Sequence, residues 1–164
     1  MAEPQHPNPN YRSPKYGIAR TDTRCWHCGR STRVLALLLP EDHETLDTET
    51  AAELDVWQRA GASAFLFYVA YLPDGVQRRL FQLSPTFCAA HSEATANCYW
   101  ANHCEHCGSL LEDHELHCET DGAFMPCSEA EAENILVLQI SEPFDALAAS
   151  YALDPEFLRF MRKA

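Results

Sequence analysis

Runs of apolar residues separated by polar and turn-forming residues predict several strands along this chain. Residues 32–39 form a strand-length apolar run, and residues 63–72 are rich in aromatic and β-branched side chains, a composition that favours buried strands. Residues 73–75 have turn chemistry and residues 76–83 alternate in part, so the chain is predicted to return there as the second strand of an antiparallel hairpin. Residues 134–140 predict a further strand.

Helical spacing of apolar residues predicts helices at two places. Residues 50–60 are expected to form a short amphipathic helix. The tail from Pro143 onward is expected to be helical in two pieces, the second with Asp154 as its N-cap and Pro155 at the first helical position. One apolar face of the second piece is expected to dock on the rest of the domain, and it consists of Leu153, Phe157, Leu158 and Met161.

Length and composition indicate one domain with a terminal arm. The chain has 164 residues, of which 46% are hydrophobic, and this is enough for a packed core. Residues 1–20 contain four prolines and almost no apolar periodicity, so we expect a flexible Pro-rich arm there and a single domain over residues 21–164. The arm lacks the apolar run of a secretory signal, and no stretch of the chain has the roughly 18 apolar residues of a membrane span, so we expect a cytoplasmic protein that does not enter a membrane.

Four of the eight cysteines lie in two motifs of the same form, Cys-x-His-Cys-Gly. Two cysteines at this spacing can turn both sulfurs toward one metal ion, and the glycine permits the positive φ of a tight knuckle. Two such knuckles supply the four thiolates of a closed, structural zinc site. The sequence therefore predicts one Zn²⁺ held by Cys25, Cys28, Cys104 and Cys107.

Redox chemistry is the main alternative for the paired cysteines. A thioredoxin-like Cys-x-x-Cys opens a helix after a strand, whereas here glycine follows each pair and the first pair precedes the predicted strand at 32–39. In a secreted protein the eight cysteines could instead pair as four disulfides. In the zinc interpretation the metal ion closes a loop of 75 residues between Cys28 and Cys104, so its binding is coupled to folding.

The remaining cysteines and histidines leave a second metal site open. Cys88 and His91 have ligand spacing, and His117 and Cys118 follow later in the chain, so these four residues are its candidate ligands. The alternative is that Cys88 is a small buried residue and the histidines are polar surface. Cys88 is also the candidate nucleophile of a hydrolase if His91 or His117 lies beside it. The histidines inside the two knuckles are expected to face outward.

The charge of the chain is strongly negative and unevenly distributed. The net charge is −12, with six basic and two acidic side chains in residues 1–33 and 6 basic and 22 acidic ones in the remainder. A body this acidic repels phosphate backbones, which argues against general nucleic-acid binding. An unidentified protein is the expected partner. Nucleic acid stays an alternative through Arg24, Arg30 and the basic arm, with Trp26 and Trp100 placed near the knuckles for stacking or for core packing.

Catalytic candidates are few. A metal-dependent nuclease of the HNH type would use Asp42-His43 with Asn97 and either His91 or His103, between two cysteine pairs. The gap between the pairs is long for such a domain, and the acidic run around Asp42 is more simply a solvated loop. We therefore expect a non-catalytic binding or adaptor module, with an HNH-type nuclease and a nucleic-acid-binding zinc-ribbon protein as the alternatives.

Two blocks of the sequence carry a recognisable pattern. The first is the Cys-Trp-x-Cys knuckle with the hydrophobic strand behind it, over residues 25–39. The second reads Tyr-Trp-x-Asn-x-Cys-x-x-Cys-Gly over residues 99–108 and continues through Glu112-Asp113 to Leu116-His117. Together they resemble small uncharacterised zinc-ribbon-like proteins of bacteria and phages. The resemblance implies that the two knuckles pair across the long gap, and it draws attention to His117, because a histidine recurs there.

These features together predict an α+β fold. We expect a small antiparallel β-sheet stapled by a zinc-ribbon-like site of four cysteines, with helices at the C-terminus.

Overall fold

Strands dominate the architecture of this protein. The computed structural model describes residues 8–47 and 56–164. Within those ranges the strands are β1 (Tyr11–Ser13), β2 (Tyr16–Arg24), β3 (Ser31–Leu39), β4 (Glu44–Asp47), β5 (Val56–Arg59), β6 (Ala64–Tyr71), β7 (Phe87–Ser92), β8 (Asn97–His103), β9 (Leu110–Leu111), β10 (Leu136–Ile140), β11 (Phe144–Ala152) and β12 (Arg162–Lys163). The helices are α1 (Asp74–Leu83), α2 (Glu129–Glu133) and α3 (Pro155–Phe160), and a π-helical turn covers His114–Cys118. The α+β expectation holds in this coarse form.

The strands belong to one extended sheet. Its main path runs β12-β10-β2-β3-β6-β11-β1-β4-β5, and the group β7, β8 and β9 joins this path where β8 pairs with β6. The pairing of β10 with β12 is parallel, whereas the long β2–β3 hairpin and the β7–β8 hairpin are antiparallel. The sheet is therefore much larger than the small one expected from the sequence.

The β2–β3 hairpin carries hydrophobic core on both of its faces. Ala19 and Val34 lie on one face and belong to a core cluster that also contains Phe65 and Phe124. Ile18 and Leu35 point to the other face, into a cluster with α1. Because successive strand residues alternate between faces, burial on both sides explains why residues 34–39 are a continuous apolar run rather than an alternating one.

Three predicted strands and one predicted helix are confirmed. The apolar runs at 32–39, 63–72 and 134–140 correspond to β3, β6 and β10. Helix α3 begins as predicted, with the Asp154 carboxylate accepting a hydrogen bond from the backbone N–H of Glu156 at 2.9 Å. Its predicted apolar face packs on the core, because Leu153, Phe157, Leu158 and Met161 all contact the first cluster.

The predicted flexible arm over residues 1–20 is wrong in the part that the structure describes. Its last residues form β1 and the first half of β2, and Tyr16 and Ile18 are each only 1% exposed. Strand β2 pairs with β3 on one side and β10 on the other, so hydrogen bonds and burial order a segment whose prolines suggested a loose chain. The expected boundary at residue 21 falls inside this strand, and residues 1–7 lie outside the described residues.

The predicted return strand at 76–83 is also wrong, because this segment is helix α1. Val76 and Leu80 are four residues apart and both buried, so they share one helical face. Pro73 stands at the N-cap position, which suits the residue before a first helical turn because no intrahelical N–H is needed there. The helix covers the β-sheet face that contains Ile18 and Leu35, a contact that local alternation does not reveal.

Two predicted helical segments are strands where they are described. Residues 56–59 form β5 against β4, and the rest of the helix expected over 50–60 lies outside the described residues. The first helical piece expected after Pro143 is strand β11, which pairs with both β1 and β6. Its alanines favour helix, but hydrogen-bonding partners on both edges override that preference. None of the helices in the described ranges is long and apolar enough to cross a membrane.

Candidate metal centre

The first knuckle is the turn of the β2–β3 hairpin. The last paired residues are Arg24 and Ser31, and the N–H of Cys25 donates to the carbonyl of Arg30 at 2.8 Å. The N–H of Gly29 then donates to the carbonyl of Cys25 at 3.0 Å. Because the turn is this tight, Gly29 adopts a φ of +74°, a conformation that glycine reaches without the cost of a Cβ clash.

The second knuckle repeats the same bonds in the β8–β9 hairpin. The N–H of Cys104 donates to the carbonyl of Ser109 at 2.9 Å, and the N–H of Gly108 donates to the carbonyl of Cys104 at 3.0 Å. Gly108 has the same φ of +74° as its counterpart. In each knuckle the N–H of the histidine donates to the sulfur of the first cysteine at 3.4 Å, from His27 to Cys25 and from His106 to Cys104.

The two knuckles bring all four predicted sulfurs together. The Sγ atoms of Cys25, Cys28, Cys104 and Cys107 lie within 4.8 Å of one another. Sulfur contacts cross from one knuckle to the other, at 3.6 Å between Cys25 and Cys107 and 3.7 Å between Cys28 and Cys104. A disulfide would need sulfurs about 2 Å apart, so the cysteines are free thiols, and their arrangement could hold one metal ion.

Four contacts outside the sulfurs hold the knuckles against each other. The Asn102 side chain, 1% exposed, accepts from the N–H of Leu35 at 2.8 Å and donates to its carbonyl at 2.9 Å. Two further contacts run from the second knuckle to β3: the Glu105 N–H donates to Thr32 Oγ1 at 2.9 Å, and His106 Nε2 lies 3.0 Å from the Ser31 carbonyl. The last runs from the first knuckle, where Trp26 Nε1–H donates to the Leu110 carbonyl at 2.9 Å. The two hairpins are thus positioned by protein contacts as well as by their cysteines.

The sulfurs differ in exposure and in electrostatic surroundings. Cys25 and Cys104 are each 1% exposed, whereas Cys28 and Cys107 face the solvent. Hydrogen bonding to Ser109, first to its side chain and then to its backbone, lowers the pKa of Cys107 to about 5. Thiolate is the form of cysteine that binds metal, so this environment favours coordination by Cys107. Cys28 differs, because a backbone hydrogen bond from Arg30 lowers its pKa but burial and the other three thiols outweigh it and raise the pKa to about 11.

The histidines of the knuckles face outward, as expected. Both His27 and His106 are exposed, and neither belongs to the group of converging ligand atoms. The ring of His27 contacts Trp26 edge-on, with the ring centroids 5.4 Å apart.

The four candidates for a second metal site are not brought together in the described part of the chain. Cys88 lies on β7 with its Sγ 3.5 Å from His103 Nδ1, and the exposed His91 lies further along the same strand. His117 and Cys118 belong to the π-helical turn instead. Over residues 8–47 and 56–164, the four knuckle cysteines are the one group of three or more His, Cys, Asp or Glu side chains with ligand atoms in reach of one ion.

The nuclease candidates are dispersed in a similar way. His43 is 2% exposed and its Nδ1 contacts the Pro40 carbonyl within its own turn. Asn97 lies at the start of β8, where its side chain donates to the Thr95 carbonyl at 2.9 Å. His43 and Asn97 bond to their own local backbone, and Asp42, His43 and His91 do not converge on one ion position among the described residues.

Two buried titratable residues follow the second knuckle; the sequence predicts His117 as a candidate metal ligand and no role for Asp113. His117 is 2% exposed and stacks on Phe67 and Phe124, and its Nδ1 lies 3.0 Å from the Tyr151 hydroxyl. Burial lowers its pKa to about 3. Asp113 is 3% exposed and accepts a hydrogen bond from the N–H of Tyr68 at 2.8 Å.

Asp113 supports an unusual backbone conformation in β6. Tyr68 has a φ of +51°, which is costly for a residue with a bulky side chain. The register of β6 against β11 shifts between Phe67 and Tyr71, and Val69 there pairs with β8. By accepting the Tyr68 N–H, Asp113 stabilises the bulge at which β8, and with it the second knuckle, joins the main sheet. Burial raises the pKa of this carboxyl to about 7.

Comparison with known proteins places the chain in no family, because no family model matches it and no curated protein or solved structure is significantly similar to it.

Proposed function

We propose that this protein is a non-catalytic binding module whose fold is stapled by one structural Zn²⁺. The convergence of Cys25, Cys28, Cys104 and Cys107, with sulfurs within 4.8 Å of one another, carries the proposal. Tetrahedral sets of four thiolates select zinc or iron, and in zinc proteins a set of four cysteines is a closed structural site.

The sulfur distances support tetrahedral coordination. Zinc–sulfur bonds of about 2.3 Å at tetrahedral angles place neighbouring sulfurs about 3.8 Å apart. The contacts of Cys25 with Cys107 and of Cys28 with Cys104, at 3.6 and 3.7 Å, are close to this value. Little rearrangement would be needed for the four sulfurs to hold one ion.

The same distances argue against redox chemistry at the knuckles. A redox-active Cys-x-x-Cys closes its disulfide within the motif and acts as a pair, whereas here sulfurs of the two motifs contact each other and all four form one group. In addition, four protein ligands fill a tetrahedral shell and leave no position for water or substrate. A metal held in this way stabilises structure, and the activity of the protein would then reside on its surface, with a protein partner as our proposal.

Native mass spectrometry with and without a strong chelator tests the staple. We expect one zinc per chain, removed by the chelator. Cys28→Ser is expected to lose the zinc, whereas Cys98→Ser, which removes an exposed cysteine outside the knuckles, is expected to keep it. Elemental analysis of the same samples distinguishes zinc from iron.

A chain that contains no metal after expression in zinc-supplemented medium would overturn the proposal, and so would iron in place of zinc. Substitution by Co²⁺ in the wild type gives a readout that does not depend on the folding of a variant, because visible absorption bands report tetrahedral thiolate coordination. Absence of those bands would contradict the assignment of the four cysteines as ligands even if zinc binds elsewhere.

A further inference from the structure

One face of the β2–β3 hairpin changes from apolar to basic along its length. Residues directly opposite each other in an antiparallel pair lie on the same face, and the register is Ile18↔Leu37, Arg20↔Leu35, Asp22↔Arg33 and Arg24↔Ser31. Near the middle of the sheet this face carries aliphatic side chains, and toward the knuckle it carries arginines. We call Arg20, Arg24, Arg33 and the adjacent turn residue Arg30 the arginine ribbon.

The arginines of this ribbon have no acidic partner among the described residues. The ion pairs found there join Arg12 to Glu44, Arg79 to Glu142 and His114 to Glu119. Asp22 lies between the ribbon arginines on the same face without forming an ion pair to them within 4 Å. Four arginines against this one aspartate leave the face positive in a chain with a net charge of −12, and a positive face attracts anionic groups.

An apolar groove adjoins the arginine ribbon. Helix α1 covers part of this face and ends at Leu83. At that end lies a cavity of about 220 Å³, large enough for one aliphatic side chain. Its lining consists of Ile18, Arg20, Leu35, Leu83, Leu136, Leu138 and Ala164. Arg20 therefore belongs to both the groove and the ribbon.

We infer that this face is the docking surface for an acidic protein segment. Carboxylates of the segment would lie against the arginine ribbon, and one aliphatic side chain would enter the groove between Leu83 and Leu138. Arginine suits this role because its planar fork binds carboxylates through two hydrogen bonds. This inference rests on the proposed function as a binding module and names the chemistry of the partner.

The groove favours a protein partner over a nucleic acid. Its aliphatic lining offers neither the aromatic faces nor the hydrogen-bonding groups that bind bases, and the acidic body repels a phosphate backbone. The exposed Trp26, 63% accessible, stands at the knuckle end of the ribbon, where its Nε1–H bond to the Leu110 carbonyl fixes the ring orientation. An aromatic ring already held in place loses little entropy on binding, so Trp26 extends the surface with a contact for a further side chain.

Fluorescence anisotropy with the zinc-loaded full chain tests this surface. The probes are a labelled peptide of aspartate, glutamate and leucine, the same peptide with serine in place of leucine, and a single-stranded oligothymidine of equal charge. We expect the leucine peptide to bind best. Arg24→Ala combined with Arg33→Ala is expected to weaken its binding about tenfold or more, and the matched pair Arg59→Ala with Arg78→Ala, exposed arginines outside the ribbon, is expected to change it little.

Four results would overturn the inference. Tighter binding of oligothymidine than of the peptides would show that the face binds nucleic acid. Equal affinity for the leucine and serine peptides would show that binding is electrostatic and that the groove does not contribute. If neither peptide binds, the face has no acidic peptide partner. If the chain self-associates with increasing concentration and the ribbon variant does not, the partner of this face is a second copy of the chain. The zinc content of every sample is measured. A chain that retains zinc but binds no peptide contradicts only the docking surface, whereas a chain without zinc contradicts the proposed function.

Discussion

The glycines after each cysteine pair show how much a single residue contributes to the metal centre. The sequence predicts a positive φ at Gly29 and Gly108, and both have a φ of +74°. A Cβ built on either glycine meets nothing within 4 Å. The requirement for glycine is therefore one of backbone conformation and does not depend on space for the side chain.

Gly108→Ala is expected to lower the free energy of unfolding by about 1 kcal/mol, the cost of placing an L-residue in the left-handed region. Gly61→Ala is the control, because Gly61 has equal space around it and no positive φ, and it is expected to cost nothing. Urea denaturation of both zinc-loaded variants measures the difference. Equal midpoints would mean that the knuckle relaxes to accept the alanine.

The candidate site was predictable as far as its chemistry is local. Residue type, spacing and the following glycine identify all four cysteines, because each knuckle is a single turn whose geometry depends on neighbouring residues alone. The role of Asn102 depends on Leu35, which is 67 residues away in sequence, and no local pattern announces it. His117 misled for the same reason, since a histidine near a cysteine suggests a metal ligand until its aromatic surroundings are known.

At the scale of elements, hydrophobic periodicity predicted secondary structure correctly where the local sequence signal is strong. It failed where contacts with distant strands determine the structure. The apolar run of β3 and the Asp154-Pro155 start of α3 are strong local signals, and both elements form. Strand β11 contains helix-forming alanines, yet it has a hydrogen-bonded neighbour on each side. Segment 76–83 has too few residues for its partial alternation to exclude a helix.

Two substitutions in α1 distinguish this helix from the strand expected at 76–83. Leu80 is fully buried and Phe81 is 61% exposed. We expect Leu80→Ala to destabilise the fold by about 2–5 kcal/mol, because it leaves a cavity under the helix, and Phe81→Ala to change stability by less than about 0.5 kcal/mol. Equilibrium unfolding of the two variants measures both values. A larger loss from Phe81→Ala would show that this side chain is buried and that the helical register is wrong.

At the scale of the whole molecule, two buried groups make stability depend on pH in opposite directions. Burial lowers the pKa of His117 to about 3, from an ordinary value of 6.5, so acidification below pH 6.5 protonates the unfolded chain in preference to the fold and removes stability. Burial raises the pKa of Asp113 to about 7, from 3.8. The fold therefore holds a proton that the unfolded chain releases, and the stability this gives at low pH is lost as the pH rises through 7.

Between about pH 4 and 6.5 the two effects oppose each other. Each changes the free energy of unfolding by at most about 1.4 kcal/mol per pH unit. We therefore expect the stability of His117→Phe, relative to the wild type, to increase as the pH falls from 7 to 5. Asp113→Asn is expected to lose relative stability over the same interval, although asparagine can still accept the Tyr68 N–H. The double variant is expected to return to the wild-type slope if the two sites act independently.

Urea denaturation at each pH provides the measurement. The zinc content of every sample is also measured, because thiolate sites release metal in acid. His114→Phe, which replaces an exposed histidine in the same π-helical turn, controls for the loss of an imidazole alone, and a change in slope as large as that of His117→Phe would contradict the role assigned to burial.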